Sequence, residues 1–162
     1  MSRLDSLVAG GLFAVCGLLA WVTGLPFVFP SLGPTAFVLA SDADPGPRRV
    51  VGGHAVGAAA GFLAHHLLAG GLVATAAVAP GSPATARLAL AGSLAVAGTT
   101  AGMNATRTVH PPACATTLIV SLGLLTTPTE VTVLVLAVCV LYWTFDVATR
   151  VIDTYGDRTS TV

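Results

Sequence analysis

Charge is the scarcest ingredient of this chain. Only 9% of its 162 residues are charged, 54% are hydrophobic, and the mean hydropathy is +0.86. Charged residues supply about a quarter of an ordinary soluble domain, so this sequence cannot cover a water-facing surface in the usual way. Lysine is absent, and all seven basic residues are arginines. They balance seven acidic ones to a net charge of zero. A polybasic surface for nucleic acid is therefore excluded, as is an acidic tail. Cysteine is nearly absent too. Cys16, Cys114 and Cys139 lie in apolar runs without a CxxC spacing and read as small buried apolar residues rather than disulfide or metal partners. No HExxH, GxSxG, P-loop or GxGxxG pattern occurs, so neither an enzyme nor a cofactor is expected.

What the chain has in abundance is uninterrupted apolar length. Residues 6–41 carry no charge, and neither do residues 50–86. A transmembrane helix needs about 20 such residues, so the sequence predicts a polytopic, all-α membrane protein. The run from Leu7 to Leu25 is longer than a signal-peptide core and is expected to stay as the first helix. Pro26, Pro30 and Pro34 follow at four-residue spacing. Each proline removes an amide donor and clashes with the preceding turn. The expectation is an extended stretch over Phe27–Gly33 and a half-helix over Pro34–Ala40. A polar loop, Ser41–Arg49, leads to a second long helix from Val50 to about Ala69, on which Gly53, Gly57 and Gly61 form a small-residue ridge.

After a linker around Ala79–Ser82, Ser82 with Pro83 forms a helix-start signal, and a third helix runs to about Met103 with Gly98 and Gly102 on a second ridge. A short helix over Ala113–Leu125 comes after His110-Pro111-Pro112. Thr127-Pro128-Thr129-Glu130 reads as a capping box for a fourth helix over about Val131–Val151. The halves, about 1–80 and 81–162, share one plan: long helix, proline break, short helix, long helix. The fold expected is four transmembrane helices plus two proline-broken re-entrant half-helices in two pseudo-repeated halves. With four spans, Arg3, Arg87, Arg150 and Arg158 face Arg48 and Arg49 across the membrane, favouring cytoplasmic termini. If the short helices cross fully, the count becomes six and the repeat is inverted.

Proline-broken helices leave amides unpaired at membrane depth. Two such N-termini converging at mid-membrane would suit an anion. Arg107, three residues before His110, adds a full charge, or else snorkels to the headgroups. His110 reads either as a hydrogen-bonded structural residue or as part of that site. Ser31, Thr35, Asn104 and Thr108 are available donors. His54 and His65 share a helix face, and with Asp146 they define an alternative cation or metal site. Asp146 and Arg150, spaced i, i+4, suit a local ion pair. Trp21, Tyr142 and Trp143 read as interface anchors.

Three blocks together resemble the HPP family of integral membrane proteins: FPSLGPTAF (29–37), PRRVVGGH (47–54) with Gly57 and Gly61 behind it, and TRTVHPPACAT (106–116). They occur in the family's order and spacing, and the resemblance covers most of the chain, from helix one into helix four; Cys114 stands where relatives more often carry glycine. The resemblance implies a small helical membrane domain and, from plastid members, nitrite transport. By motif match it points to Pro30, Ser31, Gly33, Pro34, Arg48, Gly53, His54, Arg107, His110, Pro111 and Pro112. Together with the residue reading, the expected substrate site comprises Ser31, Gly33, Pro34, Thr35, His54, Arg107, His110, Pro111 and Pro112. The expected function is a multi-pass transporter or channel of the plasma membrane for a small inorganic anion, nitrite foremost, working as a homo-oligomer. The alternatives are an interaction or regulatory module using its glycine ridges, and the cation or metal carrier.

Overall fold

The computed structural model describes residues 3–41, 45–76 and 79–159; the middle of the polar loop, Asp42–Asp44, lies outside them. The described chain is all-α, with helices α1 (Arg3–Thr23), α2 (Val28–Ser41), α3 (Pro47–Ala64, prolonged by a π-helical turn, His65–Ala69), α4 (Pro83–Thr106), α5 (Ala113–Ser121) and α6 (Pro128–Thr159). Ser82 caps α4 by accepting from the Thr85 amide, with Pro83 in the first helical position. The capping box of α6 also forms. Glu130 Oε2 accepts from the Thr126 and Thr127 amides, each at 2.9 Å, and Thr127 Oγ1 accepts from the Glu130 amide at 3.2 Å. Glu130→Ala is expected to cost about 1 kcal/mol, read as a lower midpoint in thermal unfolding of the detergent-solubilised protein.

The extended stretch expected over Phe27–Gly33 is not found: α2 is already wound there, the Ser31 amide bonding to the Phe27 carbonyl at 3.2 Å. Pro30 stands in the first turn, where an amide lacks a helical partner anyway. Pro34 alone lies inside the helix and forfeits one bond, to the Pro30 carbonyl. Packing on both sides offsets that single loss. The other boundaries move less. The second and fourth long helices begin at Pro47 and Pro128, because a proline in the first turn starts a helix without strain. Helix α5 stops at Ser121, short of the expected Leu125, because Gly123 turns the chain at φ +80°.

Neighbouring contacts fix the helix directions. Phe13 of α1 lies beside Gly33 of α2, and Phe29 beside Gly17, so these two run antiparallel. On α3 and α4, Gly102 meets Val56 and Gly98 meets Ala60, again antiparallel. Helix α5 runs parallel to α3: Gly53 meets His110, Gly57 meets Ala113 and Thr117, and Gly61 meets Val120. Leu7–Val15 of α1 line a groove with Thr144–Ile152 of α6. The bundle therefore alternates, each helix running opposite to the one before it. Arg48 and Arg49 consequently share an end with Arg107, Arg150 and the chain positions of Arg3 and Arg158; only Arg87 marks the other end. This is the arrangement of the six-crossing alternative rather than of the four-span count, which set Arg48 and Arg49 against Arg150.

Within this bundle α1 packs on α2 and α6, α2 also on α5 and α6, α3 on α4, α5 and α6, and α4 on α5. The largest buried cluster, including Leu12, Cys16, Val28, Leu32, Leu39, Val138 and Leu141, ties α1, α2 and α6 together. The outward faces of α1 and α6 are apolar: Leu7, Trp21, Val22, Leu136 and Trp143 are exposed. Both helices are long and apolar enough to cross a membrane, over Ser6–Thr23 and Pro128–Thr154.

Candidate functional site

At the crossing of α2, α3 and α5, five polar side chains are buried in one hydrogen-bonded file. Ser31 Oγ and Thr116 Oγ1 are 2.6 Å apart, and Thr116 Oγ1 lies 2.6 Å from His54 Nδ1. His54 Nε2 reaches Thr35 Oγ1 at 2.8 Å, and the same oxygen lies 3.2 Å from His110 Nε2. Ser31, Thr35, His54 and Thr116 are wholly inaccessible to solvent, and His110 is nearly so. Among the described residues no buried side-chain nitrogen or oxygen lacks a hydrogen-bond partner. Burying so many polar groups is tolerated because each has such a partner.

The local sequence explains how they meet. Ser31 and Thr35 are four apart on α2, so both face α5. The glycines of α3 remove the side chains that would hold α5 away. A Cβ on Gly53 would come within 2.8 Å of His110 Cβ, and one on Gly57 within 2.7 Å of Thr117 Oγ1. The α3 ridge and the α4 ridge are thus both used inside the chain, on α5 and α3 respectively. Arg107 ends α4 in the left-handed conformation (φ 57°), and the Thr108 amide bonds back to the Met103 carbonyl at 2.9 Å. That reversal sends Thr108–Pro112 back along α3. Pro111 and Pro112 then turn the chain into α5, whose first amides bond to the carbonyls of His110, Pro111 and Pro112.

Of the residues expected at the site, Ser31, Thr35, His54 and His110 come together. Gly33 instead faces Phe13 of α1, and Pro34, Pro111 and Pro112 shape the backbone beside the file. Arg107 is exposed at the end of the bundle, with Arg48 nearby donating from Nη2 to the Thr106 carbonyl at 3.1 Å. Asn104 is exposed and Thr108 is buried against the Thr106 hydroxyl. Thr35 and His110, beside the expected breaks at Pro34 and Pro112, are in contact, but α2 already begins at Val28 and runs antiparallel to α5, so no pair of helix N-termini points into the site. The site is built from side chains at the crossing, not from helix dipoles.

Sequence reading missed Thr116, which joins His54 to Ser31. Its signal was two adjacent threonines, Thr116 and Thr117, in an otherwise apolar half-helix. Thr117 pairs with Thr99 of α4 at 2.9 Å, both buried. One turn further on, the Ser121 carbonyl accepts from His65 Nδ1 at 3.3 Å. A polar file therefore follows α3 and α5 from the arginine end to the π-helical turn. Asp146 stays apart, held by Arg150 through bonds of 2.9 and 3.1 Å on the outer face of α6. No group of three metal-ligating side chains exists among the described residues, so the alternative site of His54, His65 and Asp146 does not assemble. The three cysteines are unpaired thiols.

The family model described as HPP, transmembrane region, matches residues 4–156. No curated protein and no solved structure matches the chain.

Proposed function

The chain belongs to the HPP transmembrane family, and from that premise we propose that it is a small transporter or channel for an inorganic anion, with nitrite the favoured cargo. One observation carries this reading: a file of five buried polar side chains, four from three helices and His110 from the segment that leads into α5, in the middle of an apolar bundle. Ionisable residues at membrane depth are costly and mark substrate pathways by default. In this reading all six helices cross the membrane, and the halves 1–80 and 81–162 form an inverted repeat. Six of the seven arginines then gather at one end, which the positive-inside rule assigns to the cytoplasm together with both termini. The plasma membrane and a homo-oligomeric assembly belong to the same reading, and cross-linking in native membranes tests the latter.

Arg48, Arg49 and Arg107 crown the end of the file nearest His110. They would raise the local anion concentration, while the hydroxyls and imidazoles below supply donors. Arg107 occupies a backbone conformation that favours glycine, so glycine can replace it there without backbone strain. Arg107→Gly keeps the helix cap and removes the charge. In proteoliposomes, Arg107→Gly combined with Arg48→Ala is expected to slow nitrite uptake several-fold at low salt, with the difference shrinking as the Debye length falls below about 8 Å. The reading fails if wild-type protein moves nitrite, nitrate, formate and chloride no faster than protein-free vesicles. An interaction module working through the glycine ridges is disfavoured, since both ridges are spent inside the chain.

A further inference from the structure

Thr35 Oγ1 lies within hydrogen-bond distance of two imidazole nitrogens, 2.8 Å from His54 Nε2 and 3.2 Å from His110 Nε2. A hydroxyl has one proton to give. When both rings are neutral, Thr35 can satisfy both contacts only by accepting from one Nε2–H and donating to the other, bare Nε2. The tautomers of His54 and His110 are thereby set opposite to each other. The same rule extends to the other side, where His54 Nδ1 meets Thr116 Oγ1 and that oxygen meets Ser31 Oγ, each at 2.6 Å. The file thus has two complete hydrogen-bonding states, one the reverse of the other.

We propose that Ser31–Thr116–His54–Thr35–His110 is a bistable proton relay, and that a proton is the second cargo of the anion path; the coupling, though not the relay itself, rests on the anion reading. In the first state Ser31 donates to Thr116, Thr116 to His54 Nδ1, His54 Nε2–H to Thr35, and Thr35 to His110 Nε2, while His110 carries a proton on Nδ1. When the site opens and water reaches Ser31, a proton taken from that water replaces the one Ser31 passes to Thr116. Thr116 protonates His54 Nδ1, His54 gives its Nε2 proton to Thr35, Thr35 protonates His110 Nε2, and His110 releases its Nδ1 proton to water admitted at the other end. One proton has entered and one has left; each O–H or N–H bond broken along the file is replaced by another, and no redox change occurs. The file now has the reverse polarity. A second proton in the same direction waits until the rings and hydroxyls turn, which packed side chains do only when the site opens. Passage is therefore limited to one proton per opening.

The surroundings suit a neutral relay. Among the described residues, the charged groups on the packed elements are Arg48 and Arg49 at the start of α3, Arg107 before His110, the Asp146–Arg150 pair on the outer face of α6 with Asp153 beyond it, and Arg87 and Glu130 towards the other end; Arg3 and Asp5 begin α1, and Asp157 and Arg158 end α6. The remaining titratable neighbours are Cys16 on α1, Cys114 on α5, Cys139 and Tyr142 on α6, and His65 and His66 beyond α3. Among the described residues no carboxylate hydrogen-bonds to the file to pin a proton in place.

Two measurements on the full chain in lipid test this. In ¹⁵N-histidine spectra at neutral pH, with signals assigned from single-histidine variants, the Nε2 sites of His54 and His110 are expected to share one proton between them. Both protonated, or both bare, overturns the relay. In proteoliposomes holding an internal pH dye, with an inward proton gradient, external nitrite and protein-free vesicles as the baseline, Thr35→Val is expected to cut protein-dependent proton uptake by about tenfold or more, and Thr35→Ser to stay within about threefold of wild type. Proton uptake by Thr35→Val at the wild-type rate overturns the relay. Nitrite uptake by wild type with no accompanying proton also overturns it and leaves the anion reading standing. Proton uptake and shared Nε2 protonation without nitrite transport overturn the anion reading and leave the relay standing.

Discussion

The His54→Ala protein is expected to lose protein-dependent nitrite uptake and about 3 kcal/mol or more of stability. Removing the ring opens a cavity at the centre of the bundle and takes one of two partners from each of the buried hydroxyls of Thr35 and Thr116, which keep only His110 and Ser31; the cavity supplies most of the cost. The hydroxyls are fixed on separate helices, so they cannot close the gap to each other. Stability and transport come apart in a second variant. His54→Leu with Thr116→Val and Ser31→Ala replaces one stretch of the file by apolar groups, and replacing both partners of a buried hydrogen bond is far less costly than removing one. That protein is expected to recover most of the lost thermal midpoint and none of the transport. Recovery of both would mean that the file only holds the helices together.

The second large effect is steric. A Cβ on Gly57 would sit 2.7 Å from Thr117 Oγ1 and 2.9 Å from the Ala113 carbonyl, and one on Gly61 would sit 2.7 Å from the Thr117 carbonyl. Backbone atoms of a short, packed helix cannot step aside singly; α5 would have to move as a body. Gly57→Ala is therefore expected to cost about 1–3 kcal/mol, the range for overpacking, and Gly57→Leu to prevent recovery of monodisperse protein. Gly98→Ala is the contrasting case. Its new Cβ would meet Ala60 Cβ at an ordinary 3.8 Å, so the gain in helix propensity, up to about 1 kcal/mol, stands unopposed. Size-exclusion profiles and thermal melts in detergent separate the three variants. Equal melting temperatures for Gly57→Ala and Gly98→Ala would contradict the packing of α5 against α3.

Local signals were legible where chemistry acts within one or two turns. Ser82 and the Thr127–Glu130 box cap the helices the sequence assigned to them, and Asp146 pairs with Arg150 as its spacing requires. The prolines of α2 misled because their effect depends on position within a helix. Pro30 is harmless in a first turn, and Pro34 costs one bond that packing offsets. Arg107 shows a different limit of local reading. It is close in sequence to His110, but its own left-handed backbone turns the chain there, leaving the guanidinium at the end of the bundle, as the snorkelling alternative allowed, and the imidazole within it.

Composition alone determined that this chain belongs in a membrane. With so few charges and two long uncharged runs, no arrangement could present an adequate polar surface to water. The sequence also determined which residues were chemically available at depth, since only a few side chains in those runs can hydrogen-bond. Tertiary structure decided which of them meet. Ser31, His54, Thr116 and His110 are spread across much of the chain, and nothing in their spacing relates one to another. Their contact depends on α5 running parallel to α3 at the separation that Gly53, Gly57 and Gly61 permit. It depends equally on α2 crossing α5 antiparallel, so that Ser31 meets Thr116 and Thr35 meets His110. Hydrogen bonds act over about 3 Å, and only the packed backbone sets distances that finely between segments so far apart along the chain.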